Sequence, residues 1–109
     1  MPDRFHILLE KYKAEVKEIL GNAYVRMVVY GSYARGDYRS DSDLDILVLA
    51  DVKPEELSRY SGKIYDLAYD LGEEFDIEVN PVIQSITVYD YWKSVYPFFM
   101  NVDREGIAV

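Results

Sequence analysis

The stretch from Gly31 to Asp45, GSYARGDYRSDSDLD, decides the fold, because one strand runs into it and another leads out of it. Tyr24 to Tyr30 (YVRMVVY) is β-branched and aromatic and reads as a strand. Leu44 to Leu49 (LDILVL) reads as a second strand, apolar on both faces and therefore expected at the centre of a sheet. Between them Gly31-Ser32 turns the chain, a short turn or helix runs through Gly36-Asp37, and residues 38–42 form a polar loop.

Further out the period becomes helical. Phe5, Leu8, Leu9, Tyr12, Val16, Ile19 and Leu20 recur at helical spacing with Lys and Glu opposite, which predicts an amphipathic helix over 3–20 stopped by Gly21-Asn22. Pro54 suits a first helical position, and Leu57, Tyr60, Ile64, Leu67, Ala68 and Leu71 keep the period to Gly72. Phe75 to Ile83 is expected as a third strand, with Phe75, Ile77 and Val79 on one side and Asp76, Glu78 and Asn80 on the other. Residues 86–100 hold Trp92, Val95, Tyr96 and Phe99 at helical spacing, with Pro97 as a break. The order α-β-(α)-β-α-β-α predicts an α/β fold in one domain, residues 1–109.

Composition narrows the function classes. The chain is 50% hydrophobic and 15% aromatic, enough for a core. A chain this short buries only roughly two-thirds of its unfolded surface, so a self-associating face and a homo-oligomer are expected. No cysteine means no disulfide and no thiolate metal site. The longest apolar run, Ile46 to Ala50, is too short to span a membrane, and no apolar N-terminal stretch resembles a signal peptide, so the expected compartment is the cytoplasm. Net charge is −8 and no Lys/Arg cluster offsets it, which argues against binding extended nucleic acid.

The chemistry is concentrated in 31–45. Glycine allows close backbone approach and a sharp bend. Ser32 offers a hydroxyl, and the N–H groups after it point at whatever sits at the helix start, an arrangement suited to a polyphosphate. Arg35, one turn on, can add a bidentate phosphate contact. Asp43 and Asp45 stand two apart at the start of a strand, so both side chains share a face. Carboxylates so placed repel unless a cation joins them, and Mg²⁺ takes one or two carboxylates plus substrate phosphates. A third acid should come from the neighbouring strand, where Asp76 and Glu78 are both available to take the proton of an attacking hydroxyl. A Gly-Ser pair or an Asp-x-Asp alone carries little weight. The combined four-position pattern arises by chance on the order of a few times in a thousand chains of this length.

These residues carry a resemblance. Gly31-Ser32, then ten residues, then Asp43-Leu44-Asp45 resembles the signature of the DNA polymerase β-like nucleotidyltransferase superfamily. The fuller run, Gly-Ser-x-Ala-Arg-Gly-Asp with Ser42-Asp43-x-Asp45, is similar to its smallest branch, the minimal nucleotidyltransferase (MNT) proteins, many of which are antitoxins of HEPN/MNT toxin–antitoxin systems. The resemblance implies a small mixed β-sheet of three or four strands flanked by helices, two Mg²⁺ ions, and an NTP, usually ATP. It assigns Gly31 and Ser32 to the triphosphate, supports Arg35 beside them, and gives Asp43 and Asp45 to metal. Several relatives place an acid three residues before a proline, as Glu78 stands before Pro81, whereas others read apolar-Asp-apolar, as in Phe75-Asp76-Ile77. The resemblance favours Glu78 as the third catalytic and metal-binding acid and leaves Asp76 open. The implied reaction is AMP transfer onto a tyrosine of a HEPN toxin partner. Some members lack the third acid, so the alternative is a weak or inactive member that neutralises a partner by binding. Transfer to a small molecule or RNA is the least expected.

Other residues have plainer readings. His6, the single histidine, has no ligand partner nearby and is expected at the surface or in a structural role. Most of the eleven tyrosines fit packing positions. Trp92, Tyr96, Pro97, Phe98 and Phe99 are either core or an exposed patch for another subunit or partner. Arg26, Arg39 and Arg59 are expected as surface charges.

Overall fold

The computed structural model describes residues 3–109. Helix α1 (Asp3–Leu20) ends at Gly21, whose φ of +56° turns the chain into a short 3₁₀ turn, Gly21–Ala23. Strand β1 (Tyr24–Tyr30), helix α2 (Ser32–Arg35) and strand β2 (Leu44–Ala50) follow. After a 3₁₀ turn at Pro54–Glu56 come α3 (Ser58–Phe75), β3 (Val79–Ser85), α4 (Ile86–Trp92), α5 (Pro97–Glu105) and β4 (Ile107–Ala108).

The strands form one mixed sheet in the order β3-β2-β1-β4. β1 runs antiparallel to β2 and to β4, while β2 and β3 are parallel. A parallel pair needs a crossover, and α3 supplies it. Because β2 is interior, its alternate residues serve two cores. Leu44, Ile46, Val48 and Ala50 pack with α1 and α3, and Leu47 and Leu49 pack with Tyr89, Phe99 and Val102 of α4 and α5. Each fully buried Leu or Ile contributes about 1.5–3 kcal/mol. The Tyr12 hydroxyl donates to the Ile64 carbonyl at 3.2 Å, which ties α1 to α3. Among the described residues no helix is long and apolar enough to cross a membrane.

The mixed α/β sheet expected from the sequence is present, with three differences. The third strand begins at Val79, not Phe75. Helix α3 runs through Gly72 to Phe75, because the missing Cβ lets the Ile77 carbonyl come close: a Cβ there would lie 2.6 Å from that oxygen. Asp76 then closes the helix with φ 54°, a left-handed conformation that short polar side chains tolerate. Asp76 and Glu78 therefore do not share a strand face. The aromatic segment also makes two helices, with Pro97 in the first turn of the second. Lastly, the apolar tail pairs with β1 as β4, a strand the sequence did not reveal.

Candidate active site

The site forms where β1 hands over to α2. Gly31 has φ 76° and ψ −153°, a conformation close to glycine-only. A Cβ on Gly31 would stand 2.5 Å from Asp45 Oδ2, so the glycine is needed for the Asp45 carboxylate to sit where it does. Ser32 opens α2, leaving the first N–H groups of that turn without helical partners. Gly36, at φ 86°, closes the turn by donating its N–H to the Ser32 carbonyl at 2.9 Å.

The loop that delivers Asp43 is built locally. The Arg39 N–H donates to Ser42 Oγ at 2.7 Å and the Ser42 N–H returns a bond to the Arg39 carbonyl at 3.1 Å. The buried Tyr33 ring stacks on Tyr38 and its hydroxyl donates to the Ser42 carbonyl at 3.2 Å, which fastens the loop to α2. The serine before the aspartates thus acts as a loop fastener.

Across the sheet, Asp45 lies in register between Tyr30 of β1 and Asn80 of β3. The Asn80 amide donates to Asp43 Oδ2 at 2.9 Å. It also favours the charged form of Asp45. Burial, then the charge of Asp43, nonetheless pushes the Asp45 carboxyl above the usual range. Glu78 is exposed, just ahead of β3, and its carbonyl accepts the Leu44 N–H at 2.8 Å. A side-chain hydrogen bond with Asp43, then the charge of Asp43, raises the Glu78 carboxyl. Burial and Asp45 push the Tyr30 hydroxyl up to about 12. Asp76 shares a hollow of about 240 Å³ with Asp43 and Glu78.

Arg35 is exposed and paired, with Nε 3.3 Å from Asp37 Oδ2 and Nη1 3.5 Å from Glu105 Oε2. It lines a cleft of about 420 Å³ with Tyr30, Gly31, Ser32, Asp45 and the α5 wall of Phe98, Asn101, Val102 and Glu105. That wall left no readable trace in the sequence, since only packing brings it to Gly31. Asn80 has a signal in the sequence: it follows Glu78 on the polar side of the alternating pattern, as an amide and not an acid.

The donor chemistry suits a hard cation. Two carboxyls raised in part by like charge are what a divalent ion relieves, and all the oxygens are of the kind Mg²⁺ takes. As the side chains stand, no three His, Cys, Asp or Glu among the described residues form a group that encloses an ion. Asp43 engages Asn80 and Glu78, while Asp45 borders Gly31.

The remaining residues sort plainly. His6, Arg39 and Arg59 are exposed, and Arg26 is half-buried with its guanidinium 5.8 Å from the Tyr89 ring centre. The aromatic cluster divides: Phe99 is core, whereas Tyr96 and Phe98 remain exposed beside Tyr91, Val95 and Met100.

A sequence profile described as "Nucleotidyltransferase domain" matches residues 9–96. Two proteins of Methanocaldococcus jannaschii, each named "putative protein adenylyltransferase", are 33% identical over 94% of this chain and 95% of their own, and 31% identical over 91% and 83%. A solved structure described as a toxin–antitoxin with AMP-PNP superposes with a TM-score of 0.57, covering 91% of this chain and 70% of that one; at 21% identity the likeness is one of fold. Profile, relatives and fold agree with the strand–glycine–serine–aspartate geometry, and the chain belongs to the nucleotidyltransferase domain family.

Proposed function

We propose that this nucleotidyltransferase moves AMP from ATP to a hydroxyl of a partner protein, a tyrosine of a HEPN-type toxin, in the cytoplasm, with residues 1–109 acting as one domain. The observation that carries the reading is Asp45 set against the Gly31-Ser32 turn at the mouth of a cleft open to a nucleotide, with Asp43 and Glu78 sharing the adjoining hollow. The names of the relatives support protein adenylylation, and the toxin–antitoxin likeness supports the partner class.

In this reading the N–H groups of the Ser32 turn and the Ser32 hydroxyl bind the triphosphate, and Arg35 exchanges an acidic partner for phosphate oxygens. Asp43, Asp45 and Glu78 would hold Mg²⁺, which neutralises charge on the transferring phosphoryl group. The acceptor hydroxyl attacks Pα, the new O–P bond forms as the bond to pyrophosphate breaks, and the hydroxyl proton passes to Glu78. Asn80 holds the Asp43 carboxylate in place before substrate arrives.

The test is incubation with α-labelled ATP, Mg²⁺ and the protein encoded beside this one. Label on that protein is the expected result. No label on any acceptor, across divalent metals and the four NTPs, overturns the enzyme reading. A second reading, neutralisation by contact alone, is favoured by the exposed Tyr91, Val95, Tyr96, Phe98 and Met100 patch. It wins if Asp43→Ala with Asp45→Ala still neutralises the partner in cells.

A further inference from the structure

The nucleotide cleft touches the carboxylate set through Asp45, on the β1 side. A second and larger recess, about 550 Å³, touches the same set through Glu78 and Asn80, on the β3 side. It lies between the outer flank of α3 and the free edge of β3, which is the last strand of the sheet. Tyr65 and Tyr69 of α3 stand in it, 45% and 69% exposed although both are large aromatic side chains. Glu73 and Asp76 complete its acidic rim, and no lysine or arginine lines it. Among the described residues neither Glu73, Asp76 nor Glu78 is in an ion pair, since the nearby Lys11 bridge goes to Glu74.

In-line transfer requires the acceptor to approach Pα from the side opposite the departing pyrophosphate. With phosphates at Gly31-Ser32, that side faces Glu78 and β3. We infer that the α3–β3 recess receives the acceptor, and that it fits a basic, hydroxyl-bearing segment of a partner protein. Its acids attract Lys or Arg flanking the hydroxyl, and the two tyrosines offer ring faces to an aromatic residue and to guanidinium groups. The same acids repel nucleic acid. Pro81 at the edge removes one backbone donor, so strand addition is hindered and side chains do the recognising. This inference rests on the proposed transfer reaction for the placement of the acceptor, but the recess can be tested without it.

The probe is a fluorescent peptide carrying one tyrosine between arginines, with an otherwise identical peptide carrying glutamates as its control. Anisotropy is read on the intact protein with and without ATP. The arginine peptide should bind, the glutamate peptide should not, and ATP should not displace it. Glu73→Lys with Asp76→Asn, which keeps a short polar side chain at the left-handed position, should weaken binding on the order of tenfold while ATP affinity stays unchanged. Tyr69→Ala should weaken it without altering net charge. No binding by the intact protein, displacement by ATP, or equal binding by the Glu73→Lys, Asp76→Asn variant each overturns the inference. Transfer to the partner is a separate readout: binding without transfer sinks the enzyme reading alone, and transfer without recess-dependent binding sinks only the acceptor site.

Discussion

Replacing Gly31 by alanine should damage this protein twice, by routes that can be separated. The backbone there holds φ 76° and ψ −153°, where a side chain is strained by about 1–3 kcal/mol. The new Cβ also lands 2.5 Å from Asp45 Oδ2. To reach ordinary contact the carboxylate must retreat by roughly 1 Å. The side chain can do this by rotating, so the collision costs position more than stability. For a domain of this length 1 kcal/mol corresponds to about 4 °C, so Tm should fall by about 4–12 °C. Displacement of a catalytic carboxylate by about 1 Å should lower transfer on the order of a hundredfold. Differential scanning fluorimetry without metal reads the first effect, and label transfer at saturating ATP the second. In an Asp45→Ala background the collision partner is gone, so most of the drop in Tm should persist. Wild-type Tm together with wild-type transfer in Gly31→Ala would refute both parts. A Tm drop that vanishes in the Asp45→Ala background would show that collision, not backbone strain, sets the stability cost.

Three further outcomes are expected. Asp45→Asn should abolish transfer yet raise Tm at pH 7 without metal. The folded Asp45 pKa is raised, so its ionised form opposes folding in full above the folded pKa, and the gain should shrink as pH falls from there toward the usual carboxylate range and vanish below it; a pH-independent gain contradicts this. Glu78→Gln should lose transfer while keeping ATP affinity by calorimetry, and Asp76→Asn should keep both; the reverse pattern moves the third acid to Asp76. Asn80→Ala removes the donor to Asp43, so it should lower kcat more than it raises KM, with Asn80→Ser recovering part of the loss; equal effects from both substitutions would leave Asn80 a packing residue.

Element order was legible because it depends on local periods. Helix α1, strand β1 and the start of β2 fall where apolar spacing and glycine placed them. The third strand was misplaced because Phe75 to Asn80 alternates in character while its backbone does not remain extended: Asp76 in a left-handed conformation is invisible to a period-2 pattern. Likewise Gly72 reads as a stop, yet its lack of a side chain serves close packing against Ile77.

The spacing of Asp43 and Asp45 and the glycine before Ser32 are properties of the chain alone, because strand alternation and φ freedom act over a few residues. What only tertiary structure decided is how distant segments meet them. Asn80 comes from 35 positions beyond Asp45 in the chain through the β2–β3 register, and Glu105 reaches Arg35 because α5 folds back over β1. Such contacts depend on strand pairing and on which face each helix covers, and no local pattern of residues encodes either.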